Sequence, residues 1–193
     1  MAISTWTKSI GLLITSAAFW AVSANATLVS CGDSYRTASL DSAESCYSQI
    51  IGSTAKQQNI NTIFGGSWTN VGELQTSGSN SFLTVSGSGW GAGNASGSWI
   101  IDPSFWNTFG AAVISMHVGG GQKNAVDNFE WLVTPETVSG LWSYTKSAGK
   151  GGGLSNIKLW GSGTPSVKVP EPATLLLLLI GLMSVVLVRQ KAK

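Results

Sequence analysis

Beyond Gly52 the apolar residues come in short alternating runs broken by loops of Gly, Ser and Asn, and that punctuation limits the fold more than anything else in the chain. Alternation with period two is the signature of a half-buried strand, and glycine inside a helix costs about 1 kcal/mol. The 24 glycines therefore argue against a helical bundle. Strands are predicted over residues 82–85, 98–101, 112–118, 129–133, 141–145 and 157–160. In the run 112–118, Ile114, Met116 and Val118 share one face, and Val113, Ser115 and His117 share the other. Gly119-Gly120-Gly121 and the stretch 149–153 read as connecting loops. No strand–helix–strand alternation supports a parallel sheet. The expected fold is mainly β, an antiparallel β-sandwich or flattened barrel.

One short N-terminal helix is expected ahead of these strands. Asp41 and Glu44 form a capping-box-like start, Ala43, Cys46, Tyr47, Ile50 and Ile51 recur at helical spacing, and Gly52 supplies a stop. Cys31 and Cys46 can pair in an oxidising compartment. The alternative is acylation of Cys31, because Leu28-Val29-Ser30-Cys31 also resembles a bacterial lipoprotein box.

The two ends read as targeting segments. Residues 1–26 carry Lys8, then an apolar stretch over 10–22, then Ala24-Asn25-Ala26, a small-residue cleavage site for signal peptidase after Sec export. Near the other end, Val169-Pro170-Glu171-Pro172 precedes an apolar run over 173–188, and Arg189, Lys191 and Lys193 follow it. At about 1.5 Å per residue the run is about 24 Å long, short of a hydrocarbon core of about 30 Å but able to span with snorkelling cations. Cations without anions after the run place that tail in the cytoplasm and the preceding domain outside.

A Pro-Glu-Pro block, an apolar helix and a terminal basic cluster together resemble the PEP-CTERM sorting signal of Gram-negative bacteria. The resemblance covers residues 165–193 and implies an exosortase partner that processes the protein, anchored transiently in the inner membrane, on its way to the cell surface or matrix. Two prolines hold the motif extended and remove backbone donors, which suits capture in a protease groove. No Leu-Pro-x-Thr-Gly block points to a cell-wall sortase. The middle, 27–164, more loosely resembles β-rich extracellular domains found ahead of this signal. It does so through 61–68, Ser96-Gly97-Ser98-Trp99, Asp102-Pro103-Ser104-Phe105-Trp106, 118–121, Ser139-Gly140-Leu141-Trp142 and 152–157. Such proteins are taken to be surface or matrix proteins without an assigned activity. Asn156 stands where they usually carry histidine.

Catalytic chemistry has little to stand on. No Gly-x-Ser-x-Gly elbow frames a serine for His117, and the carboxylates are scattered with no pair selected. Neither a phosphate-cradling P-loop nor a dinucleotide fingerprint is present. His117 reads as a solvent-side strand residue. No cofactor or metal is expected, with Asp102, Asp127 and Asn128 the remaining candidates to help hold Ca²⁺. Of the tryptophans after residue 27, most are expected in the core, with Trp90 in its glycine loop and Trp106 exposed for glycan contact. Residues 27–164 carry six basic side chains against eight acidic ones, so the whole-chain charge of +2 belongs to the ends and nucleic acid loses its support. The expected function is a non-catalytic surface or matrix protein associated with exopolysaccharide and biofilm. A carbohydrate-binding module is the alternative, and an envelope hydrolase the third reading.

Overall fold

The structure, a computed structural model, describes residues 28–120, 124–165 and 181–183. The chain forms β1 (Leu28–Gly32), β2 (Arg36–Asp41), β3 (Ala43–Gln49), α1 (Gln57–Phe64), β4 (Trp68–Leu74), β5 (Gly78–Ser79), β6 (Leu83–Ser88) and β7 (Asn94–Ile101). After a 3-10 turn at Pro103–Asn107 come β8 (Ala111–Val118), β9 (Asn128–Val133), β10 (Ser139–Lys146) and β11 (Leu154–Ser162). All pairings are antiparallel, in a six-stranded sheet ordered β1-β2-β10-β7-β6-β5 and a five-stranded sheet ordered β3-β9-β8-β11-β4. They stack as a β-sandwich, and each of the six runs predicted from alternation lies in or at the edge of one of β6 to β11.

The core lies between the inner faces. Leu40, Val85, Trp99, Trp142 and Tyr144 of one sheet meet Ile114, Met116, Phe129, Trp131 and Leu159 of the other. Five of the seven tryptophans after residue 27 are buried: Trp68, Trp99, Trp131, Trp142 and Trp160. Glycine makes the space for them. A Cβ at Gly140 would strike the Trp99 indole, and one at Gly87 would strike Trp142. Trp142 thus sits deep enough to donate its Nε1–H toward the carbonyls of Ser86 and Ser98, at 3.2 Å each.

The helix expected over 41–52 is a correction. Asp41 ends β2, Ser42 makes a tight turn with φ of 59°, and Ala43–Gln49 is strand β3. A bulge between Ala43 and Ser45 explains the misreading. It puts an extra residue in the strand, so Ala43 and Cys46 both pair with inward-facing positions of β9, Val133 and Trp131. Two inward residues three apart mimic a helical repeat. The helix that does form, α1, has a polar sequence and buries Ile60 alone.

Cys31 and Cys46 are joined by a disulfide with Cα atoms 5.8 Å apart. It links β1 to β3, the edge strands of the two sheets. Closing a loop of 15 residues restricts the unfolded chain by about 3 kcal/mol on the chain-entropy model. Of the two readings of Cys31, the disulfide is the one found. The signal segment 1–26 with Ala24 and Ala26, the motif residues Val169, Pro170, Glu171 and Pro172, and the tail residues Arg189, Lys191 and Lys193 lie outside the described residues. Of the predicted membrane run, 181–183 are described and helical. Among the described residues no helix is long and apolar enough to cross a membrane.

Candidate functional site

The inward side chains of β2, Ala38 and Leu40, leave Thr37, Ser39 and Asp41 on the outer face of the six-stranded sheet. Register carries this pattern across the sheet. Ser30 pairs with Ser39, Ser39 with Ser143, Ser143 with Ser96, and Ser96 with Ser88. One row of serines therefore crosses five strands, at about 4.8 Å per strand. A second row holds Leu141, Ser98 and Ser86, and a third holds Thr37, Thr145 and Asn94. The hydroxyls of Ser30 and Ser39 lie 2.7 Å apart, as do those of Ser86 and Ser98. Each can still give or take a bond outward, because a hydroxyl carries one donor and two acceptor sites.

This face is hollowed. One open depression of about 600 Å³ is lined by Leu28, Asp41, Ser86, Ser98, Leu141 and Trp142, among others. A second of about 410 Å³ adjoins it along Ser96 and Ser143 and extends past Ser88, Asn94 and Thr145. Among the described residues Asp41 is the one charged side chain lining either hollow. Leu28 and Leu141 stand 56% and 60% exposed beside the serines. The result is a shallow trough that offers hydroxyls and aliphatic surface with almost no charge.

The outer face of the five-stranded sheet is built differently. Ala55, Ile60 and Trp68, from the segment through α1, pack over Val113 and Trp160. One polar row crosses all five strands, Tyr47, Glu130, Ser115, Lys158 and Glu73, with the middle three buried and Tyr47 and Glu73 exposed at the edges. Lys158 reaches Glu73 at 3.4 Å and donates to the Ala55 carbonyl, also at 3.4 Å. Ser115 Oγ accepts from Trp160 Nε1–H at 2.8 Å. Glu130 is 0% exposed and neither carboxyl oxygen has a partner. Burial, with the charge of Asp127 added, pushes its pKa up to about 8.

The sequence-expected residues fall elsewhere. Trp90 is half-buried, not clear of the surface, and packs edge-on against Trp142 with centroids 6.1 Å apart. Trp106 is half-buried against Phe105, and its Nε1–H donates to the Thr137 carbonyl at 3.0 Å. His117 does not lie on a solvent side, because the 51–68 segment covers much of that face of β8. It is half-buried, and burial lowers its pKa against the opposing pull of Asp127.

Asp102 caps the 3-10 turn by accepting from the Ser104 N–H at 2.8 Å. Asp127 accepts from the N–H groups of Ile51 and Gly52, and Asn128 Oδ1 accepts from that of Ala55. The Asn128 amide also donates to Asp127 Oδ1 at 2.8 Å, so these two side chains together hold the 51–55 backbone, while Asp102 serves its own turn. Among the described residues no group of three or more His, Cys, Asp or Glu is placed to hold a metal.

The trough was missed because Ser86-Gly87-Ser88 and Ser96-Gly97-Ser98 look like loop sequence. Their serines alternate, which was the available signal for outward-facing strand positions.

The fold and its face thus define a disulfide-linked β-sandwich whose open sheet face is hydroxyl-lined, with Asp41 its one charged group among the described lining residues. Residues 168–191 match the PEP-CTERM protein-sorting motif, so the chain carries the sorting signal that its C-terminal pattern resembles. That motif implies export, processing by an exosortase and sorting to the cell surface. Comparison with curated proteins and with solved structures gives no match.

Proposed function

We propose that the protein is a non-catalytic surface or extracellular-matrix protein that associates with exopolysaccharide in a biofilm, using the trough of its six-stranded sheet. The observation that carries this reading is the registered serine row from Ser30 to Ser88. A polysaccharide presents hydroxyls at regular intervals and aliphatic ring faces between them. The trough offers the same two elements, with Leu28 and Leu141 as the aliphatic part. A lone carboxylate, Asp41, supports a binding rather than a hydrolytic role, since most glycoside hydrolysis needs a carboxyl pair. Before exosortase processing, the run 173–188 anchors the protein in the inner membrane, with Arg189, Lys191 and Lys193 in the cytoplasm. A carbohydrate-binding module with one defined glycan is the second reading, favoured by the limited size of the hollows, about 600 and 410 Å³.

Co-sedimentation with exopolysaccharide from the native host tests the trough. Ser98→Asp combined with Ser143→Asp places two anions in it and is expected to weaken binding at least tenfold. Undiminished binding by that variant would sink the reading. Retention on one purified glycan among many would favour the defined-ligand module.

A further inference from the structure

The described chain enters and leaves the sandwich at one end. Ser42 joins β2 to β3 there, residues 102–110 join β7 to β8, and residues 134–138 join β9 to β10. Leu28, at the start of β1, pairs with Asp41, and Ser162, at the end of β11, pairs with Ala111. The exit is held in place. The Gly110 N–H donates to the Ser162 carbonyl at 3.0 Å, and a Cβ at Gly110 would strike the Thr164 carbonyl.

Little chain separates this end from the sorting motif. Five Cα steps lead from Pro165 to Pro170, and they span at most about 18 Å. A small domain is about 30 Å across, so an enzyme that grips Pro170-Glu171-Pro172 has its surface against the exit end.

That end exposes apolar surface. Leu28, Ile100, Val138 and Leu141 all stand out from it. Ile100 pairs with Ser139, and the Val138 carbonyl accepts from the Ile101 N–H, so Ile100, Val138 and Leu141 are neighbours across β7 and β10. The other large hydrophobics that the sandwich exposes, among the described residues, are Tyr47 and Ile50, towards the opposite end of β3. Grouped apolar side chains with polar neighbours mark a contact with protein or membrane.

Charge decides between the two. Asp41, Glu44, Asp102 and Glu136 lie at the exit end. Among the described residues no lysine or arginine joins them. Arg36, Lys146 and Lys150 are at the opposite end, and Lys56 and Lys158 adjoin Ala55. Anionic lipid attracts juxtamembrane cations, so an end that carries anions alone is the wrong one for a lipid surface. It complements a protein surface with an apolar centre and a basic rim.

We propose that this exit end, centred on Ile100, Val138 and Leu141, is a docking surface for the exosortase, which engages the folded domain as well as the motif. The proposal rests on the processing that the motif implies. It does not rest on the glycan reading, since Ile100 and Val138 line neither hollow.

Processing of the full chain is followed in the native host by pulse-labelling and intact-mass analysis. Ile100→Ser combined with Val138→Ser is expected to slow loss of the C-terminal segment about fivefold or more. Ile50→Ser, also at an exposed apolar position but away from the exit, is expected to leave the rate unchanged. Glu44→Lys reverses one exposed rim charge and is expected to slow processing about threefold, and it decides the matter if the double variant fails to fold. A wild-type protein that keeps its C-terminal segment sinks the sorting reading and the proposal together. A processed wild type matched in rate by the double variant and by Glu44→Lys overturns the proposal alone. Sedimentation of the processed protein checks the other occupants. A dimer that the double variant dissolves assigns the patch to a second copy, and adsorption to anionic vesicles that it abolishes assigns it to lipid, and either overturns the proposal.

Discussion

The two outer faces of this sandwich solve opposite problems. On the six-stranded sheet the polar groups are mostly small neutral hydroxyls, bonded to one another and open to water except at the buried Ser39, and no described segment is built over them. On the five-stranded sheet the row contains a carboxyl, a hydroxyl and an ammonium, and α1 with its flanking segment lies over that face. An open face can be rewritten with little effect on folding. A covered one cannot, because each polar atom beneath the cover must find a partner or lose its charge.

The largest effect should come from cutting away the support of the cover. Trp160 joins Val113 to Ala55, Ile60 and Trp68, and its Nε1–H satisfies Ser115. Trp160→Ala is expected to lower unfolding free energy by about 3–5 kcal/mol, the usual range for a buried tryptophan, as read by denaturant titration. A loss no larger than that of a surface serine would erase the distinction between the faces.

Glu130 gives the next effect, through pH. Its folded pKa of about 8 lies above the ordinary 4.5, so between those values the folded protein holds a proton that the unfolded chain releases. The contribution of Glu130 to stability is therefore full below about pH 4.5 and falls as pH rises through that window, at roughly 1.4 kcal/mol per unit. From pH 5 to pH 7 the expected loss is about 3 kcal/mol. Glu130→Gln cannot ionise and should flatten the profile. An unchanged slope in that variant would place the linked proton on another group.

The sequence reading reached this architecture where alternation was clean. Residues 112–118 and 129–133 gave away β8 and β9, and the loops around Gly119 and Gly149–Gly153 were visible as glycine runs. It failed where register, not composition, decides. The bulge at Ala43 disguised β3 as a helix, and α1 was invisible because its eight residues bury only Ile60. The trough escaped for a related reason. Five serines distributed over β1, β2, β10, β7 and β6 become one row only when the strands are aligned, and no linear window contains them. The burial of Glu130 was equally hidden, since nothing local distinguishes it from an exposed strand glutamate.

The smallest effect is the sharpest test of the comparison. Ser98→Ala and Ser143→Ala each remove one hydroxyl from the open sheet and leave backbone pairing and core untouched. Water can replace either hydroxyl as a partner for its neighbours, so no buried group is orphaned. Each substitution should therefore change stability by less than about 0.5 kcal/mol. Ser115→Ala, on the covered face, removes the acceptor of the Trp160 indole and should cost about 1–3 kcal/mol, because that N–H is left buried without a partner. The three variants differ by one oxygen each. If Ser98→Ala and Ser143→Ala proved as damaging as Ser115→Ala, the open face would be carrying a structural role and its hydroxyl rows would need no ligand to explain them.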